Sequence, residues 1–127
     1  METAMLQLID RLEIPESHAA ILLREGFLPP YMGDLRRFPR RCMNVEATLQ
    51  LGEGLPGFRR TQEHHAVKVI DLSRGGIGFL HSDQLYPGEE VNVVLTNAKT
   101  VKVEIRWCRR LGPKCYQLGG RFTAASI

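Results

Sequence analysis

A two-residue rhythm of apolar side chains constrains this chain more than any other feature. Met43, Val45, Ala47, Leu49 and Leu51 alternate with Asn44, Glu46, Thr48 and Gln50, and Val101, Val103, Ile105 and Trp107 repeat the pattern later. Successive side chains of a strand point to opposite faces, so each run sets one face on a core and the other in water. Shorter runs over Ala66–Ile70, Ile77–Leu80, Glu90–Leu95 and Cys115–Phe122 read as further strands, and the 101–107 series as part of one over Thr100–Arg109. The stretch from Gly52 to Gly57, Pro87-Gly88, Thr96-Asn97 and Gly112-Pro113 separate them with the residue types that tight connections need. About six short strands without intervening helices imply an antiparallel sheet, and closure into a β-barrel removes its exposed edges.

The first third of the chain has a different pattern. Ala4, Met5, Leu8, Ile9 and Leu12 recur at helical spacing, and a second helix is expected after Pro15, with Glu16 in its first turn and Gly26 ending it. Pro29-Pro30 and Gly33 then mark an extended connector. The expected organisation is an N-terminal α-helical extension and connector over residues 1–34, followed by the β-barrel domain over residues 35–127. A chain of 127 residues has room for one such core.

Several classes are argued against. The longest apolar runs fall well short of the ~20 residues of a membrane helix, and the start lacks a signal-peptide pattern, so a cytoplasmic location without membrane insertion is expected. Cys42, Cys108 and Cys115 form no C-x-x-C pair and read as reduced thiols. His64-His65 and these cysteines lack zinc-finger spacing, and adjacent histidines on a strand face opposite ways, so no metal is expected. There is no nucleophile elbow or convincing carboxylate pair, and Arg74-Gly75-Gly76-Ile77-Gly78 leads into β-forming residues instead of a helix whose N-terminus could cradle a phosphate. An enzyme is therefore not expected, and neither is a cofactor.

The formal charge of +3 points weakly to an anionic partner, but its placement says more. Arg36-Arg37-Phe38-Pro39-Arg40-Arg41 packs four cations and no acid into six residues just before the first long strand. A planar guanidinium offers paired donors to guanine O6 and N7 and can lie flat on a base. Downstream, Asp71-Leu72-Ser73-Arg74-Gly75-Gly76 joins two expected strands. Its glycines permit left-handed angles and close approach, and the turn can present a nest of amides. Ser73 is the natural hydroxyl contact, while Asp71 suits guanine N–H donors or the pinning of the turn.

Together these elements resemble the PilZ domain, a bacterial receptor module for the second messenger cyclic di-GMP, whose motifs are Arg-x-x-x-Arg followed by Asp/Asn-x-Ser-x-x-Gly. Here they read RRFPR at Arg36 to Arg40 and DLSRGG at Asp71 to Gly76; the Trp107 strand and the closing Tyr116 to Phe122 also look like the family's later strands. The resemblance covers roughly residues 35–122. It implies a six-stranded antiparallel PilZ-like barrel in which Arg36 and Arg40 clasp the bases and phosphates of cyclic di-GMP, with Arg37 assisting. Arg37 and Arg41 share the same spacing, but Arg36 and Arg40 fit the family pattern Arg-Arg-Phe-x-Arg. Asp71, Ser73, Gly75 and Gly76 would contribute from the barrel surface, and Trp107 either stacks on the ligand or belongs to the core.

The function implied is a cyclic di-GMP receptor or adaptor that signals by conformational change to an unidentified protein partner or to a second copy through residues 1–34. Two alternatives are a PilZ-like adaptor that ignores nucleotides and a nucleic-acid-binding β-barrel; DNA is not an expected partner.

Overall fold

The computed structural model of the chain describes residues 8–28 and 39–123. Its strands are β1 (Leu8–Ile9), β2 (Arg41–Gln50), β3 (Gly54–Leu55), β4 (Phe58–Arg59), β5 (His64–Leu72), β6 (Gly76–His81), β7 (Glu90–Val94), β8 (Thr100–Gly112) and β9 (Cys115–Phe122). Six of these pair antiparallel in the order β5, β2, β7, β8, β9, β6, and β6 returns to β5, so the pairings run round a ring. β3 and β4 form a separate small hairpin inside the stretch expected to be a turn.

Each strand of the ring sends its alternate residues inward. Leu49, Val69, Phe79, Val93, Val103 and Leu118, one from each strand, are all fully buried in a common core. Burying a side chain of this kind stabilises by roughly 1.5–3 kcal/mol, which is why the period-two pattern alone places the strands. His65 and His81 close one end of this core, each 1 % exposed, with rings edge to face and centroids 4.8 Å apart.

Burial, reinforced by His65 and Arg60, holds the His81 imidazole down at about 3. The unfolded chain takes up this proton near pH 6.5 and the folded one only near 3. Between those values the unfolded state binds more protons, so stability falls as the pH is lowered, by up to about 1.4 kcal/mol per pH unit. Urea titrations between about pH 6 and 4.5 are expected to show roughly 2 kcal/mol of loss from this group. His81→Gln should flatten that part of the curve.

The expected N-terminal α-helical extension is not what the described residues form. Leu8–Ile9 is a strand, parallel to His64–His65, where β5 extends beyond its pairing with β6 and leaves an edge for a third chain to satisfy. Glu16–Leu23 is a 3-10 helix, and Gly26 takes a positive φ of 74° just beyond it. The reason lies in what the segment covers. Pro15, His18, Ile21 and Arg24 are partly buried at every third position, which is the period of a 3-10 helix and not of an α-helix. Leu12, Ile14, Ile21 and Leu22 pack on Ile70, Leu80 and Cys115, an apolar patch on the outside of the ring. The apolar stripe of residues 8–12 therefore seeks a sheet, not a partner helix; Ala4 and Met5 lie outside the described residues. Among the described residues no helix is long and apolar enough to cross a membrane.

Candidate functional site

The site is built from one row of residues across the ring. Cys42 stands opposite Asp71, Asp71 opposite Gly78, Gly78 opposite Gly119, and Gly119 opposite Trp107. Directly opposed residues of antiparallel strands share a face. That face is the outer one, because Phe79 and Leu118, the sequence neighbours of the two glycines, point into the core.

Two β-bulges put the polar members of the row there. Val69 and Ile105 both face the core, so strict alternation would bury Asp71 and Trp107 inside as well. The register shifts by one between Val69 and Asp71 in β5, and again between Ile105 and Trp107 in β8. One extra residue in each strand, Ile70 and Arg106, turns the next side chain outward, and bulges of this kind are common where a sheet presents a site.

The two glycines between them make the floor. A Cβ on Gly78 would run into the Asp71 carboxylate, and one on Gly119 into the Trp107 indole. The carboxylate and the indole thus lie over neighbouring glycines from opposite sides. Gly119→Ala is expected to push the indole off the floor. Trp107 is the single tryptophan, so a shift of its emission maximum, with the fold retained by circular dichroism, checks this.

The arginine segment enters at the Asp71 end. Arg41 begins β2 opposite Leu72, and on its other side Phe27 bridges to Arg41. The Leu28 N–H donates to Arg40 O at 2.8 Å, and the Cys42 N–H to Gly26 O at 2.7 Å. Arg40 is half-buried and Arg41 exposed. Arg36 and Arg37 lie outside the described residues. Arg40 and Arg41, the described end of the arginine segment, therefore adjoin the Asp71 turn where β2 starts and β5 ends.

Asp71 is 5 % exposed, and Arg24 of the N-terminal segment places Nη2 at 3.9 Å from its Oδ2. That Nη2 is buried and donates no hydrogen bond among the described residues. Arg24 carried no signal in the sequence. Gly78 and Gly119 did, since a glycine inside a strand pattern marks close approach of another group.

The Ser73 turn corrects two expectations. Ser73 Oγ accepts from the amides of Gly75 and Gly76 at 3.2 and 3.1 Å, and the Ser73 N–H donates to Gly76 O at 2.9 Å. Those amides are satisfied within the turn and form no open nest, while Ser73 holds the turn's shape. Neither Gly75 nor Gly76 has a positive φ. Gly76 is required instead because a Cβ there would meet the Gly120 carbonyl of β9.

His64 and His65 face opposite ways as expected, only His65 being buried, and the three cysteines are free thiols. The arrangement as a whole offers cations, one buried carboxylate, a glycine floor and one indole face. Such a surface suits a planar, anionic ligand that carries N–H donors. No curated protein matches the chain. A family model described as PilZ domain matches residues 34–127.

Proposed function

The chain belongs to the PilZ domain family of cyclic di-GMP-binding modules, and we propose that it is itself a cyclic di-GMP receptor whose ligand lies across the row from Arg40 to Trp107. The observation that carries this reading is the pair of bulges that bring Asp71 and Trp107 to one outer face over Gly78 and Gly119. Asp71 accepts guanine N–H donors, the indole stacks on a purine, and Arg36 and Arg40, the family-motif arginines, grip phosphate and the guanine O6/N7 edge. Arg40 is favoured over Arg41 by strand alternation. Carried two residues back from Cys42, which stands opposite Asp71, it puts Arg40 on the face of Asp71 and Arg41 on the other.

The signal would pass through Arg24. A ligand guanidine edge on Asp71 displaces the Arg24 guanidinium, loosening residues 8–28 from the outer patch of Ile70, Leu80 and Cys115. Only a ligand that binds the loosened state better can drive this, and one that takes over the Asp71 carboxylate does so.

Calorimetric titration with cyclic di-GMP, GTP and a short single-stranded oligonucleotide tests the reading, with Trp107 emission followed in parallel. Saturable heat and altered emission are expected with cyclic di-GMP alone. Equal binding of the oligonucleotide with steep salt dependence would instead identify a nucleic-acid-binding surface. No binding of any of the three would leave a structural adaptor.

A further inference from the structure

At the open end of the β5–β6 hairpin, opposite the Ser73 turn, His65 and His81 are buried side by side with the Nδ1 atom of each lacking a hydrogen-bond partner among the described residues. Buried polar atoms are nearly always paired, so two orphans on adjacent rings call for a common partner. Their chemistry is defined at His65, whose Nε2 lies 3.1 Å from Glu63 Oε1 and donates its hydrogen there. In the neutral ring this tautomer leaves Nδ1 as a bare lone pair. A carboxylate on the far nitrogen is the outer-sphere arrangement usual for a metal-binding histidine. Asp83, exposed just past β6, adds an oxygen, and one donor atom from each of His65, His81 and Asp83 lies within 4.8 Å of the others.

We propose that His65, His81 and Asp83 bind a divalent transition-metal ion of the zinc type, with Glu63 orienting His65. Two imidazoles and one carboxylate suit such an ion in tetrahedral geometry, water taking the fourth position. Ligand atoms about 2.0–2.2 Å from the metal stand closer together than those observed here, and the exposed Asp83 side chain can close that gap by rotation. The nearby cation, Arg60, is ion-paired with Glu89, so Glu63 and Asp83 leave the surroundings net negative. Bound there, the ion would clamp the strands whose other end carries Asp71 and Gly78, independently of any nucleotide.

The test is Zn²⁺ titrated into the full chain after chelator treatment, in competition with a chromophoric chelator, with imidazole ¹⁵N spectra and thermal melts. One equivalent is expected to bind, shift the His65 and His81 resonances together and raise Tm. Asp83→Asn should weaken binding about tenfold or more without changing the melt of the metal-free protein. Glu63→Gln should weaken it by about 10–100-fold. Three outcomes overturn the proposal: no uptake, which leaves two neutral rings packed edge to face; uptake without movement of the His65 and His81 resonances; or equal affinity in Asp83→Asn and His81→Gln, which assigns the metal to thiols or surface histidines.

Discussion

Glu89→Ala is expected to destabilise the ring by about 2–4 kcal/mol, because it leaves a half-buried guanidinium without its counter-charge and the Tyr86 amide without its acceptor. Glu89 is 1 % exposed, and its oxygens are fully committed. Oε1 accepts from Arg60 Nε at 2.9 Å, and Oε2 accepts from Arg60 Nη2 at 2.8 Å and from the Tyr86 amide at 2.7 Å. Arg60 also donates to Gln84 O at 2.8 Å and lies against the rings of Phe58 and Tyr86. Donating hydrogen bonds to the Glu89 carboxylate raises the Arg60 pKa above its ordinary value, so the cation cannot escape by losing its proton. The pair ties the β3–β4 hairpin to the loop before β7, and replacing both partners with apolar residues of similar volume should cost much less than removing the acid alone. Urea denaturation of Glu89→Ala, Arg60→Met and the double variant, read as a double-mutant cycle, checks this. A single-variant loss below about 1 kcal/mol would mean that water reaches Arg60 and takes the place of the carboxylate.

Arg60 also marks where sequence reading stops. In the sequence Arg60 belongs to one of four arginine pairs, indistinguishable from the anion-seeking run at 36–41, yet Arg59 is exposed and Arg60 is half-buried against Glu89. Charge runs report composition, and only tertiary packing decides which member finds an internal acid 29 residues away.

The six ring strands were legible because hydrophobic alternation is enforced by the core at every second residue. Trp107 was not, for the same reason. It continues the Val101, Val103, Ile105 rhythm in sequence, and the bulge at Arg106 that turns it outward leaves no local trace. The Asp71 turn was recognised from its residue types, but Ser73 serves the turn itself, and the floor is made by Gly78 and Gly119, which only cross-strand register brings together. The N-terminal segment reads as helix by spacing, and its 3-10 geometry follows from a partner surface on β5, β6 and β9 that is distant in sequence.

The largest functional effect is expected from the motif arginines. Arg36→Ala with Arg40→Ala removes two charge-assisted contacts of roughly 1.5–3 kcal/mol each, a loss of about 10²–10⁴-fold in cyclic di-GMP affinity. The informative variant is Arg40→Lys, which keeps the charge. If Arg40 only neutralises phosphate, lysine should serve nearly as well and the salt dependence should be unchanged. If it reads the guanine edge with both arms of its fork, the lysine loses a bidentate contact worth about 1–3 kcal/mol, or roughly 5–150-fold. Strand alternation carried back from Cys42 puts Arg40 on the face of Asp71, whose carboxylate would take the N–H donors of the same base, and this favours the second outcome. Arg41→Lys, one residue on and facing the other way, is the matched control and should bind within about twofold of the parent. Calorimetry on the three variants separates the cases: equal weakening in Arg40→Lys and Arg41→Lys would show that the segment acts through its charge alone, and a larger loss in Arg41→Lys would move the motif's register by one residue.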